Sequence, residues 1–194
     1  MTTASPFAAW LVALATVTTP VLAGDAPAFD LKLDIDQDGK TDRAVVMQDD
    51  GGPADLYLYL AVGDEQLDPS RTPDFVRKAL TDERIIDLES KGTGSLAITS
   101  CFGCGAAKST EDTLTVVYRN GRFLVAGYSR NWDWNIQKSD GTVETAIGDC
   151  DINYLTGKAT ASTNLQDGRP IKGRFKPVAL KDWSYDKRPK ACDF

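Results

Sequence analysis

The chain has 194 residues, 28 acidic against 22 basic side chains, a net charge of -6 and no histidine. Lacking imidazole, it holds no Ser-His-Asp or Cys-His unit and no histidine metal ligand, which excludes the commonest hydrolase and zinc-enzyme mechanisms. The acidic balance argues against a nucleic-acid partner.

Residues 1–23 carry no charged side chain, and Phe7 to Ala15 (FAAWLVALA) is an apolar run too short to span a bilayer. Thr16 to Pro20 breaks it, and Val21-Leu22-Ala23 has the small-residue ending of a signal-peptidase site. The expectation is a signal peptide over 1–23, a secreted or periplasmic product, and a single β-rich domain over 24–194 without a membrane span. No later segment reaches the apolar length that a membrane helix needs.

Asp34, Asp36, Asp38, Gly39 and Asp42 (DIDQDGKTD) set four carboxylates within nine residues, around a glycine suited to a tight loop. Alternate carboxylates can converge on one hard cation, and the Lys40 carbonyl and waters would complete an oxygen shell of the size calcium prefers. The spacing departs from an EF-hand, because Val45 stands where the bidentate glutamate belongs and strands flank the loop. Over about residues 29 to 48 the sequence resembles the FG-GAP or VCBS type of repeat, the integrin-α-like calcium loop between two strands. That resemblance implies calcium ligation by Asp34, Asp36, Asp38, the Lys40 carbonyl and Asp42. Those families usually carry several copies, whereas this chain has one and shows no internal repeat, so a repeated-blade propeller is not implied.

Further along, Arg43 to Gln48 reads as a strand, and Asp55 to Val62 (DLYLYLAV) alternates so that both faces can be buried, as in a central strand. Pro73 to Leu80 (PDFVRKAL) is the one helix candidate, with Thr72 as cap and Pro73 at the first helical position. Ile85 to Leu88 and Ser95 to Ser100 are short strands. Cys101, Cys104, Cys150 and Cys192 make an even count in an exported chain and read as two disulfides. We favour Cys101 with Cys104 and Cys150 with Cys192 among the three connectivities. In the loop-entropy picture the long bridge contributes about 4 kcal/mol and the short ring about 2. Cys101-Phe102-Gly103-Cys104 also has the spacing of thiol-disulfide exchange, but it follows a strand and enters a loop, with no helix to stabilise a thiolate.

Thr113 to Tyr128 is the clearest element, two apolar runs around Asn120-Gly121, the pair that a type I′ hairpin turn favours. Its register places Tyr118 opposite Phe123, Val116 opposite Val125, Val117 opposite Leu124, and Arg119 opposite Arg122, a like-charge pair that must splay or find carboxylates. Trp132-Asp133-Trp134 then puts two indoles on one face, spaced to stack on a sugar or clamp a peptide, although core packing is the commoner use. Ile152 to Ala161 reads as a second hairpin around Thr156-Gly157. The stretch YRNGRFLVAGYSR with NYLTGK looks like a group of bacterial secreted proteins that join such an aspartate loop to a β-rich tail.

Charge is uneven, with 12 acidic and 3 basic side chains over 24–68 against 2 acidic and 8 basic over 169–190. The basic stretch interleaves Phe175, Trp183 and Tyr185, a pattern also found on single-strand-binding surfaces, but it is better read as a solvated face complementing the acidic half. The expected class is all-β, an antiparallel meander, curled sheet or sandwich with at most one short helix. The expected role is a non-enzymatic, calcium-stabilised exported module that binds an envelope or extracellular protein or glycan. A carboxylate glycan hydrolase and a thiol oxidoreductase using Cys101 and Cys104 are the competing classes.

Overall fold

The structure is a computed structural model and describes residues 26–62, 71–164 and 168–193. The leader assigned to 1–23 lies outside the described residues. Among the described residues twelve strands form two antiparallel sheets, and the only helical pieces are three short 3-10 turns at Leu180–Asp182, Tyr185–Lys187 and Lys190–Cys192. The all-β expectation is met. Among the described residues no helix is long and apolar enough to cross a membrane.

The smaller sheet runs in chain order through β1 (Phe29–Leu33), β2 (Asp42–Met47), β3 (Ala54–Tyr59) and β4 (Phe75–Thr81). β3 is interior, and its alternation resolves into a fully buried face of Ala54, Leu56 and Leu58 and a half-buried face of Asp55, Tyr57 and Tyr59. Cations cover that second face, Arg43 lying 5.7 Å from the Tyr59 ring centroid and Lys78 Nζ 4.8 Å from that of Tyr57. One face is thus buried by apolar packing and the other only half covered by amphipathic side chains, and the strand ends at Tyr59, short of the exposed Val62.

The expected helix over 73–80 is strand β4 instead. Its apolar residues mislead because Ala79, at φ +48°, sits in a bulge between β3 and β4, so that Phe75 and Leu80 share the core with odd spacing. Pairing with β3 wins over local helix preference, since without β4 the interior strand would be an unpaired edge.

The larger sheet has the order β11-β10-β9-β8-β7-β6-β5, with β5 (Arg84–Ser90), β6 (Ser95–Phe102), β7 (Lys108–Arg119), β8 (Arg122–Gln137), β9 (Val143–Asn153), β10 (Lys158–Thr163) and β11 (Arg169–Pro170). The strip β12 (Val178–Ala179) adds to β8. The β7–β8 hairpin turns at Asn120 and Gly121, both at positive φ (53° and 73°), and every pair expected from that turn is present. Beyond Val116 the register shifts by one, leaving Ala126 as the extra residue. The β9–β10 hairpin closes over Tyr154 to Gly157.

Leu56, Leu58 and Val46 from the small sheet and Leu96, Ile98, Leu114, Val116 and Ile152 from the large one belong to a single core cluster. Gln48 stitches the sheets at one side, donating to the Glu83 carbonyl at 2.8 Å and accepting from the Ile85 amide at 2.9 Å. The C-terminal stretch closes the core. Trp183 is 1% exposed and its ring lies 6.0 to 6.3 Å from those of Tyr128, Tyr154 and Tyr185. Trp183 and Tyr185 therefore serve packing, not a stacking surface for bases. Lys187 and Arg188 spend contacts locally, on the Asp182 carbonyl and on Asp193.

Candidate cation site in the aspartate loop

The loop between β1 and β2 is held by its own carboxylates. Asp34 accepts the Asp38 amide at 3.1 Å and the Gly39 amide at 3.0 Å, while Asp36 also accepts from the Asp38 amide at 3.1 Å. Gln37 and Gly39 take positive φ (64° and 84°), which folds the loop back on itself and is the requirement that glycine meets at position 39. Gln37 reaches across to the β5–β6 turn, donating to the Thr93 carbonyl at 3.1 Å. Gly94 leaves room for it, since a Cβ there would come within 2.2 Å of the Gln37 amide nitrogen.

Asp42, the first residue of β2, is fully buried. Its Oδ2 accepts the amides of Ile35 (2.9 Å) and Asp36 (3.4 Å), and its Oδ1 accepts that of Ala61 beyond β3 (2.7 Å). Burial still pushes its carboxyl above the usual range, against the pull of those three donors. Burial first, then the neighbouring carboxylates, likewise raises Asp36. One oxygen each of Asp34, Asp36 and Asp42 lies within 4.8 Å of the others. Asp38 is outside that group; its carboxylate accepts the Lys40 amide at 2.9 Å and meets Lys40 Nζ at 3.4 Å. The structure thus brings three of the expected ligands together and turns Asp38 and Lys40 toward each other. Three converging carboxylates make a hard-cation donor set of the kind calcium takes.

The cysteines pair as expected, Cys101 with Cys104 and Cys150 with Cys192, across Cα separations of 5.7 and 5.4 Å. The short ring caps β6 and the long one fastens the C-terminal turn to β9. Trp132 and Trp134 do share a face, with centroids 4.9 Å apart. Trp132 is only 8% exposed and lies across Gly148, and Lys108 Nζ stands 4.0 Å above the Trp134 ring. Asp133 points to the other side of the strand and accepts from the Ser109 hydroxyl.

Sequence reasoning missed a buried polar cluster at the end of the core. Asp112, fully buried, holds Arg130 (8% exposed) in a bidentate pair at 2.6 and 2.5 Å. Beside it Ser100 donates to Glu83 at 2.8 Å and meets the Tyr185 hydroxyl at 3.4 Å. Burial raises Glu83 above its ordinary value, and the same cause pushes the Tyr128 and Tyr185 hydroxyls far up.

No family model matches the chain, and neither a curated protein nor a solved structure matches it.

Proposed function

We propose that this chain is an exported, non-enzymatic β module whose aspartate loop binds one calcium ion, the ion stabilising a sandwich that engages an envelope or extracellular partner. The observation that carries this reading is the convergence of Asp34, Asp36 and Asp42 within 4.8 Å. Three carboxylates so close repel one another, and a hard dication reverses the sign of that interaction. Export is supported by the leader-like residues 1–23 and by two disulfides, which persist in oxidising compartments. Stabilisation is the natural consequence of the loop's attachments. Asp42 ties it to the end of β3 and Gln37 ties it to the β5–β6 turn, so an ion there fastens segments of both sheets.

The test is thermal unfolding of the oxidised protein in calcium and in chelator, with Asp36→Asn as the diagnostic variant. For a dissociation constant near 0.1 mM and about 1 mM calcium, binding adds roughly 1.4 kcal/mol, or about 4 °C for a domain of this size. Asp36→Asn keeps an acceptor for the Asp38 amide but removes a charge from the cluster. It is expected to match or exceed the wild type in chelator and to fall below it in calcium. Coincident midpoints for the wild type in the two conditions would sink the calcium reading.

A further inference from the structure

At the mouth of the sandwich, where the start of β4, the β7–β8 turn and the segment after β12 meet, lies a cavity of about 360 Å³. That is within the range of small-molecule sites. Its wall is aromatic. The Phe123 ring contacts those of Phe75 and Tyr118, with centroids 5.2 and 4.8 Å apart, and Phe75 and Tyr118 are only partly buried, so they present ring surface to the space. Its rim is cationic. Arg122 and Lys181 both line the cavity, and neither makes an ion pair with a described residue.

The one carboxylate among the described lining residues is already spent. Asp74 pairs with Arg71, both oxygens at 3.0 Å from Nη2, and accepts the Leu60 amide at 2.7 Å. Among the described residues the rim therefore carries positive charge from Arg122 and Lys181 that no ion pair neutralises, in a chain whose overall charge is -6. The hairpin register sharpens this, because Arg119 stands directly opposite Arg122, a placement that disfavours the free protein. An anion at Arg122 relieves that repulsion, and a planar apolar body attached to it covers the exposed rings.

We propose that this cavity binds a small aromatic anion, its carboxylate or sulfonate head on Arg122 and Lys181 and its ring system against Phe75, Tyr118 and Phe123. The site shares no side chain with the aspartate loop, so it stands or falls separately from the calcium reading.

The experiment titrates 2-naphthoate, and separately the neutral 2-naphthamide, into the oxidised protein, reading backbone amide shifts in two-dimensional NMR and repeating both with Arg122→Gln/Lys181→Gln. The expected result is saturable binding of naphthoate, with the largest shifts at Gly121, Phe123 and Ala179, and at least tenfold weaker binding of naphthamide. The double variant, altered only at exposed positions, keeps or slightly raises its melting temperature, since it relieves the Arg119–Arg122 repulsion, and loses about tenfold in naphthoate affinity while its naphthamide affinity is unchanged. Added salt weakens naphthoate binding alone. Shifts centred elsewhere, equal binding of acid and amide, an unaffected double variant, or no saturation with naphthoate would each overturn the proposal.

Discussion

Replacing Asp42 with asparagine preserves shape and removes one oxygen acceptor, at a position where both carboxylate oxygens are in use. With its remaining oxygen toward Ile35 and Asp36, the asparagine turns an amino group on the Ala61 amide, now bonded at 2.7 Å; flipped, it opposes the other two amides. Either way a buried donor loses its acceptor, which costs about 1–3 kcal/mol, and the bonds that survive lose their charge assistance. Against this stands relief of the buried charge, whose presence is felt in the raised carboxyl of Asp42. The donors outnumber what one amide oxygen can serve, so we expect a net loss of about 2–4 kcal/mol, lowering the melting temperature by roughly 8 °C. Urea unfolding followed by tryptophan fluorescence, run in chelator so that no cation contributes, measures it. A loss below about 0.5 kcal/mol would show that Asp42 is not the strut between loop and β3. The chelator arm separates the two roles, since Asp36→Asn is not destabilised there and Asp42→Asn is.

Three further outcomes are expected. Gly148→Ala places a Cβ 2.4 Å from the Trp132 indole, which must shift away from Trp134; near-ultraviolet circular dichroism should change, with a stability loss of about 1–3 kcal/mol, and an unchanged spectrum would contradict the packing. Glu83, raised in the folded state, holds its proton more tightly there than in the unfolded chain, so stability falls as pH climbs from 4.5 through the raised value. Glu83→Gln should remove that slope and be more stable than the wild type at pH 7 but not at pH 4, as denaturant midpoints across pH would reveal. Cys150→Ala/Cys192→Ala opens a bridge across a sequence separation of 42 and should cost about 4 kcal/mol, whereas loss of the Cys101–Cys104 ring should cost about 2, measurable by the same midpoints.

What could be read from the sequence was whatever a local turn or spacing determines. Asn120-Gly121 sets the hairpin and its first four pairs because both residues accept positive φ. The aspartate spacing brings Asp34, Asp36 and Asp42 together, but whether Asp38 joins them depends on Lys40, whose charge draws it aside. The helix expected over 73–80 failed for a non-local reason, the need of β3 for a partner, and its apolar spacing was disguised by the Ala79 bulge.

The buried pair shows how much one inserted residue decides. Continued without interruption, the hairpin register would place Arg130 opposite Glu111, on the face away from the core. The bulge at Ala126 moves the pairing by one, so that Arg130 meets Asp112 inside and Tyr128, Trp132 and Trp134 turn to the same face. A signal existed in Gly127. A Cβ there would sit 3.3 Å from the Thr115 side chain, and a glycine inside an otherwise apolar strand marks a bulge or a close approach. The consequence is testable in the same terms. Asp112→Ala leaves the buried guanidinium only the looser contact with Asp193, at 4.0 Å, and should cost about 3–5 kcal/mol, whereas Asp112→Leu/Arg130→Met, which removes both charges at once, should recover most of it. If the double variant is no more stable than the single one, the pair is not isolated within the core, and the cluster with Glu83, Ser100 and Tyr185 acts as a unit that cannot be dissected pair by pair.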